Sequence, residues 1–126
     1  MPEFVAQHTP RGLDDFTRGY FEAIEWLLSE EVNRDKIRGF TYASILKAKA
    51  DCFDFCSSYS DDLSKYVENC DRDYSGAGID FYLSRNGHGA GFFDRGNDPV
   101  FDRLQKAARC YGETNEDVYK GWIHHT

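Results

Sequence analysis

The residues that most constrain this chain lie between Ile79 and Gly96, where the hydrophobic period changes. Ile79-Asp80-Phe81-Tyr82-Leu83-Ser84-Arg85 is rich in strand formers, and alternation puts Ile79, Phe81, Leu83 and Arg85 on one face. Asn86-Gly87 follows, the strongest short signal for a hairpin turn. His88-Gly89 lengthens the turn, and Ala90-Gly91-Phe92-Phe93-Asp94 reads as the return strand. Asp73 to Gly78, rich in small residues, reads as the loop leading in.

The flanking segments read as helices. At 100° per residue, Leu13, Phe16, Tyr20, Ile24, Leu27 and Leu28 cluster on one side of a helix over residues 13–31. Asp14, Asp15, Glu22, Glu25 and Glu30 fall on the other side with Arg18, and Trp26 projects from that acidic face. A second helix spans about residues 41–57, with Ile45, Leu46, Cys52, Phe53 and Cys56 as its buried arc. Ser60 is placed to cap a short helix through Asp61, Asp62, Leu63, Tyr66 and Val67. Asp98-Pro99 starts a last helix with Phe101, Leu104, Ala108 and Tyr111 inward, ended by Gly112. Val118-Tyr119 and Trp122-Ile123, around a Lys120-Gly121 turn, suggest one or two short strands. With no repeated βαβ unit, the expected class is α+β: three to four helices packed on a small antiparallel sheet whose signature is the Asn86-Gly87 hairpin. The 126 residues suit one domain, residues 1–126.

Composition narrows the function classes. Aromatic residues make up 16%, too many for a disordered tail, and no long uncharged apolar run could cross a membrane. Met1-Pro2-Glu3-Phe4 lacks the basic and apolar regions of a secretion signal, so a cytoplasmic location is expected. The cysteines Cys52, Cys56, Cys70 and Cys110 show no C-x-x-C pair and no histidine at finger spacing, which reads as reduced, buried thiols. His8, His88, His124 and His125 are scattered, and adjacent histidines on a strand face opposite ways, so no metal is expected. No cofactor is expected either.

The stretch Asp80 to Gly96 resembles a segment from a family of small, uncharacterised proteins of bacteriophages and other mobile elements. That segment reads approximately DFWLTRNGHGAGFWDRG. Asp80-Phe81, Leu83, Arg85 to Phe92 and Asp94 to Gly96 match it, while Tyr82, Ser84 and Phe93 differ mildly. Asp51-Cys52-x-x-Phe55 and Ala107-x-x-Tyr111-Gly112-Glu113 look similar to the same family's flanks. The resemblance spans about residues 41–120 and implies a phage or plasmid origin, where small acidic proteins often block host defence. A weaker likeness is to antirestriction proteins with an aromatic strand before a Ser-Asn-Gly-Gly type turn, from which no residue roles carry over.

From its residues, the motif has three readings. It could be structural, with glycines supplying unusual backbone and Arg85 pairing with Asp94 across the hairpin. It could be a binding loop, with Asn86 and His88 at the tip between Arg85 and Arg95. It could be catalytic, with His88 as general base oriented by Asp80 or Asp94. The structural reading accounts for most of the motif, and because no nucleophile stands at a helix start and the glycines precede no helix, catalysis is the least favoured.

The net charge of −7 disfavours direct binding to nucleic acid. It is also uneven. Residues 12–31 carry six acids and one base, residues 34–49 five bases and one acid, and residues 51–73 seven acids and two bases. The expectation is an inhibitor of a host defence system, of anti-CRISPR or anti-restriction type, whose acidic helical faces meet a basic nucleic-acid-handling protein. Its contact residues would be Asp14, Asp15, Glu22, Glu25, Trp26, Asp61, Asp62 and Glu68, with Trp26 as anchor. A homodimer, a small enzyme or ligand-binding domain centred on the Arg85–His88 hairpin, and an accessory phage structural protein are the alternatives.

Overall fold

The structure, a computed structural model, describes residues 12–96 and 98–126. The expectations for residues 1–10 therefore lie outside the described residues. Five α-helices are described: α1 (Asp15–Leu28), α2 (Tyr42–Ser58), α3 (Ser60–Asn69), α4 (Tyr74–Asn86) and α5 (Pro99–Arg109). Three short strands accompany them: β1 (Gly39–Phe40), β2 (Glu116–Tyr119) and β3 (Trp122–His125). The class is α+β, but with more helix than expected and with a mixed sheet. The strand order is β1-β3-β2, with β1 parallel to β3 and β2 antiparallel to it.

Local capping chemistry sets most helix starts. The side chains of Asp14, Thr41, Asp73 and Asp98 accept from the backbone N–H groups of Thr17, Ser44, Gly76 and Val100. Pro99 occupies the first position of α5, as expected. Ser60 does not cap α3. It is that helix's first residue, and Tyr59 precedes it with no side-chain cap bond. The last helix ends at Arg109 rather than at Gly112.

The largest correction concerns the Asn86-Gly87 hairpin. Residues 74–86 form α4, and Gly87 is its left-handed C-cap at φ 66°, its N–H bonding back to Leu83 and Ser84 carbonyls. A glycine that permits positive φ serves a helix C-terminus as well as a hairpin. The helical period is hidden because α4 is central. Gly76, Ala77, Gly78 and all residues from Asp80 to Arg85 are buried, and a helix buried all round carries no polar stripe. Residues 90–94 form no return strand; Phe92–Arg95 is a 3-10 turn folded back against α4. Among the described residues the hairpin is instead β2–β3. Lys120 and Gly121 at its tip have φ 52° and 89°, the positive pair that a two-residue turn of matching twist needs.

The core is aromatic. α1 packs along α4 so closely that backbones touch: a Cβ at Gly78 would lie 1.9 Å from the Phe16 carbonyl oxygen, and one at Gly19 1.9 Å from that of Ser75. Around this crossing Phe81 lies 4.2 Å from Phe55, 5.5 Å from Tyr20 and 5.7 Å from Phe16, ring centre to ring centre. In α1, Phe16, Tyr20, Ile24 and Leu28 are buried as the pattern requires and Leu27 partly so, as is Leu13 just before the helix. α2 departs from its expected arc. Ser44, Ile45, Ala48, Cys52 and Phe55 face inward, whereas Leu46 and Phe53 are 49% and 75% exposed. Of the four cysteines, all free, only Cys52 is buried, and Cys110 is exposed.

Candidate functional site

The charged residues of the 80–96 motif divide between two networks. In the first, Asp80 is fully buried and surrounded by donors. Arg72 reaches it with Nε at 3.2 Å from Oδ2 and Nη2 at 3.1 Å from Oδ1. Arg95 Nη2 donates to Oδ1 at 2.9 Å, and the Tyr66 hydroxyl donates to Oδ2. One carboxylate thus joins α3, α4 and the 92–95 turn. The turn is held again where the Phe92 N–H donates to Ser84 Oγ at 3.0 Å. Burial, together with the Asp80 carboxylate at its hydroxyl, pushes the Tyr66 phenol well above its usual range.

The second network starts at Arg85, also buried. Its Nη1 donates to Asp51 Oδ2 at 2.8 Å and to the Tyr20 hydroxyl at 3.2 Å. Nε and Nη2 donate to the carbonyls of Gly112 and Tyr111, each at 2.9 Å. The guanidinium also lies 5.7 Å from the ring centres of Phe81 and Tyr111. Asp51, Tyr111 and Gly112, far apart in the chain, thus meet at the Arg85 guanidinium.

From Tyr20 the bonds continue. The Tyr20 hydroxyl lies 3.0 Å from His125 Nε2, and His125 Nδ1 lies 2.6 Å from Glu116 Oε2. Donor inventory assigns the protons. Arg85 can only donate and the Glu116 carboxylate only accept, so the Tyr20 hydroxyl accepts from Arg85 and His125 donates from Nδ1 to Glu116. Thr114 Oγ1 lies 2.6 Å from Glu116 Oε2, and the Tyr82 hydroxyl donates to the other oxygen. Burial works against the Glu116 charge, but the bonds from His125, Thr114 and Tyr82 outweigh it and hold the carboxyl below the usual glutamate range. Burial raises the Tyr20 phenol far above its usual range.

Glu116 and Tyr82 form one wall of a cleft of about 320 Å³. Ile24, Leu27, Leu28, Glu31, Asn86, His88 and Glu113 also line it. Asn86 is fixed there. Its Nδ2 donates to the Tyr82 carbonyl at 3.0 Å, and its Oδ1 accepts from the Thr114 N–H at 2.7 Å. The exposed His88 ring stacks on Tyr82 at 6.0 Å and 25°.

These geometries correct the expected pairings. Arg85 pairs with Asp51, not Asp94; the Asp94 carboxylate accepts from the Gly91 N–H and faces Arg95. Asp80 points its carboxylate to Arg72, Arg95 and Tyr66 and not to His88, so the Asp80–His88 pair of the catalytic reading does not form. Among the described residues the histidine–carboxylate pair is His125 with Glu116, a partner choice the sequence did not indicate. Alternation along β3 does hold: His125 is buried and His124 half-buried on the other face.

The acidic residues fare unevenly. Asp14, Asp15, Glu22, Asp61 and Glu68 are exposed, and Trp26 is 59% exposed. Glu25 is buried, so it belongs to the inner side of α1. Asp62 is held by Arg103 of α5 through bonds of 3.1 and 2.9 Å, which lower its carboxyl below the usual range. Asp14 serves as the α1 cap and Asp15 pairs with Arg18. The two acidic segments sit on helices that each pack on α4. No helix among the described residues is long and apolar enough to cross a membrane.

No family model, curated protein or solved structure matches this chain.

Proposed function

We propose that the protein works by stoichiometric binding to a basic, nucleic-acid-handling protein of a host defence system, as a bacteriophage-type inhibitor. The observation that carries this reading is the solvent face of α1. Asp15, Arg18, Glu22 and Trp26 succeed one another there at helical spacing, with a large aromatic ring exposed beside carboxylates. Tryptophan is a costly residue to leave in water and is a frequent anchor of protein interfaces. Carboxylates around it would attract the lysines and arginines that otherwise hold a phosphate backbone. Exposed Asp61 and Glu68 on α3 extend the acidic surface. Asp80 and Arg85 support the reading indirectly, because their charges are spent on internal partners.

The test is capture from host lysate with the wild-type chain and with Trp26→Ala and Glu22→Lys. The expected partner is a basic nucleic-acid-binding protein, retained by the wild type and lost by both variants. Its retention should fall steeply as salt rises, because Debye screening shortens from about 10 Å at 0.1 M to about 3 Å at 1 M. Capture that neither variant weakens, or that salt does not affect, would refute the acidic-face reading.

The cleft supports a second reading, a small-ligand site. A volume near 320 Å³ lies at the lower end for ligand pockets, and apolar Ile24, Leu27 and Leu28 line it together with Asn86, His88 and Glu31. His88→Ala separates the two readings: it would abolish ligand binding in the cleft and leave capture through Trp26 intact.

A further inference from the structure

The cleft beside Glu116 combines apolar surface with charge of a single sign. Glu31, Glu113 and Glu116 line it, and no lysine or arginine does. Glu116 is held rigidly. Its side chain is only 12% exposed, and bonds from Tyr82, Thr114 and His125 reach both carboxylate oxygens. Those bonds favour the ionised form, so a fixed negative charge stands in the cleft wall. Glu31 and Glu113 are exposed, and neither is engaged in a salt bridge among the described residues.

The backbone contributes to the same field independently of these side chains. Leu27 and Leu28 belong to the last turn of α1 and Asn86 to the last turn of α4, so two helix C-termini meet at the cleft. Each carries a partial negative charge, and a cation gains free energy there. The last turn of α1 holds no basic side chain. That of α4 holds Arg85, whose guanidinium is already committed to Asp51, Tyr111 and Gly112. An anion entering the cleft would therefore meet repulsion from side chains and backbone alike. The remaining lining suits the body of a ligand. Ile24, Leu27 and Leu28 offer apolar surface to an alkyl stem, and the stacked rings of Tyr82 and His88 offer aromatic surface to a cationic group.

We infer that this cleft takes a small organic cation, a guanidinium or primary ammonium group carried on a short apolar stem. The inference rests on the small-ligand reading of the cleft and supplies its ligand class. The stem packs on the α1 leucines, and the cationic head meets the Glu116 carboxylate. The same chemistry reaches the cleft either as a free amine or as an arginine or lysine side chain of a protein.

The experiment is titration of the full chain with three probes of similar length and different charge: agmatine, 1-pentanol and pentanoate. Calorimetry reads the affinity, and the His88 and Tyr82 ring resonances report the place. Agmatine should bind with Kd on the order of 0.1 mM and shift both rings, and the other two should not bind up to about 10 mM. Glu116→Gln should weaken agmatine about tenfold or more. Glu31→Gln and Glu113→Gln, at exposed positions, should each weaken it about threefold. If Glu116→Gln fails to fold, the double variant of Glu31 and Glu113 carries the test, with about a tenfold loss expected. A blocked Gly-Arg-Gly peptide tells the sources apart: affinity equal to that of agmatine marks a protein side chain, and binding of agmatine alone marks a free amine. Agmatine binding that none of the glutamine variants weakens would overturn the inference. Pentanol or pentanoate binding as tightly as agmatine would overturn the cation class and leave a ligand site standing. If no probe shifts the His88 and Tyr82 rings, the ligand site falls as well.

Discussion

Gly78→Ala offers the sharpest test of how α1 and α4 meet. In an isolated helix this exchange is favourable by about 1 kcal/mol, because alanine has the higher helix propensity. In the protein the new Cβ would stand 1.9 Å from the Phe16 carbonyl oxygen, 2.8 Å from its carbon and 3.1 Å from the Tyr20 nitrogen. A comfortable carbon contact is about 3.5 Å, so the helices must part locally by about 1.5 Å. The obstructing atoms are backbone and cannot rotate away. Parting the helices also loosens the Phe16–Phe81 and Tyr20–Phe81 ring contacts. Overpacking ordinarily costs about 1–3 kcal/mol, and the fixed backbone places this site at the upper end. Offset by the propensity gain, the net loss should be about 2 kcal/mol, or several degrees in Tm, on the order of 8 °C. Urea unfolding followed by far-UV circular dichroism measures it, with an unchanged m-value as the sign that only stability moved. Gly89→Ala is the control. No atom lies within 4 Å of its Cβ, and only the φ of 78° costs, about 1–2 kcal/mol. Gly19→Ala should resemble Gly78→Ala, and the double variant should cost less than the sum, because one separation relieves both clashes. If Gly78→Ala were as stable as the wild type or more so, the two helices would not be in backbone contact.

Other outcomes follow from the buried networks. Arg85→Ala leaves the carbonyls of Tyr111 and Gly112 without their donor and Asp51 with Lys47 alone, and should cost about 3 kcal/mol by urea unfolding; a loss under about 1 kcal/mol would show that water replaces the guanidinium freely. Because the Glu116 carboxyl is held below the ordinary glutamate value of 4.5, it adds stability that is complete above that value and is lost as pH falls through the lower folded-state value. Glu116→Gln should therefore flatten the acid limb of a stability–pH profile, and an unchanged limb would disprove its depressed pKa. Thiol labelling of the native chain should modify exposed Cys110 first and buried Cys52 only on unfolding, with Cys56 slow because burial, aided by the Asp14 charge, pushes its thiol up to about 12.

The parts of the fold that were legible in the sequence are those with one-sided burial or local chemistry. α1 shows its stripe from Phe16 to Leu28 because one face meets the core and the other meets water. Asp98-Pro99 marks the start of α5, and Lys120-Gly121 marks the turn between β2 and β3, because a cap or a turn is decided by a few adjacent residues. Residues 74–86 were not legible. Burial on all sides erased their period, and strand-forming aromatic and aliphatic residues then outweighed it. α2 misled differently: its apolar residues point two ways, and periodicity cannot say which arc meets the core.

The candidate sites divide along the same line. Sequence alone marked Asp80 to Gly96 as the densest polar stretch and Trp26 as an aromatic ring on an acidic face, and both features persist in the protein. It could not choose partners. Arg85 finds Asp51 across 34 residues and Tyr20 across 65, while Tyr20 finds His125 across 105. Nothing in a neighbouring residue encodes such a choice. It is decided when α1 and α4 close on each other through Gly19 and Gly78, which removes water from Arg85 and obliges its donors to find acceptors within the protein.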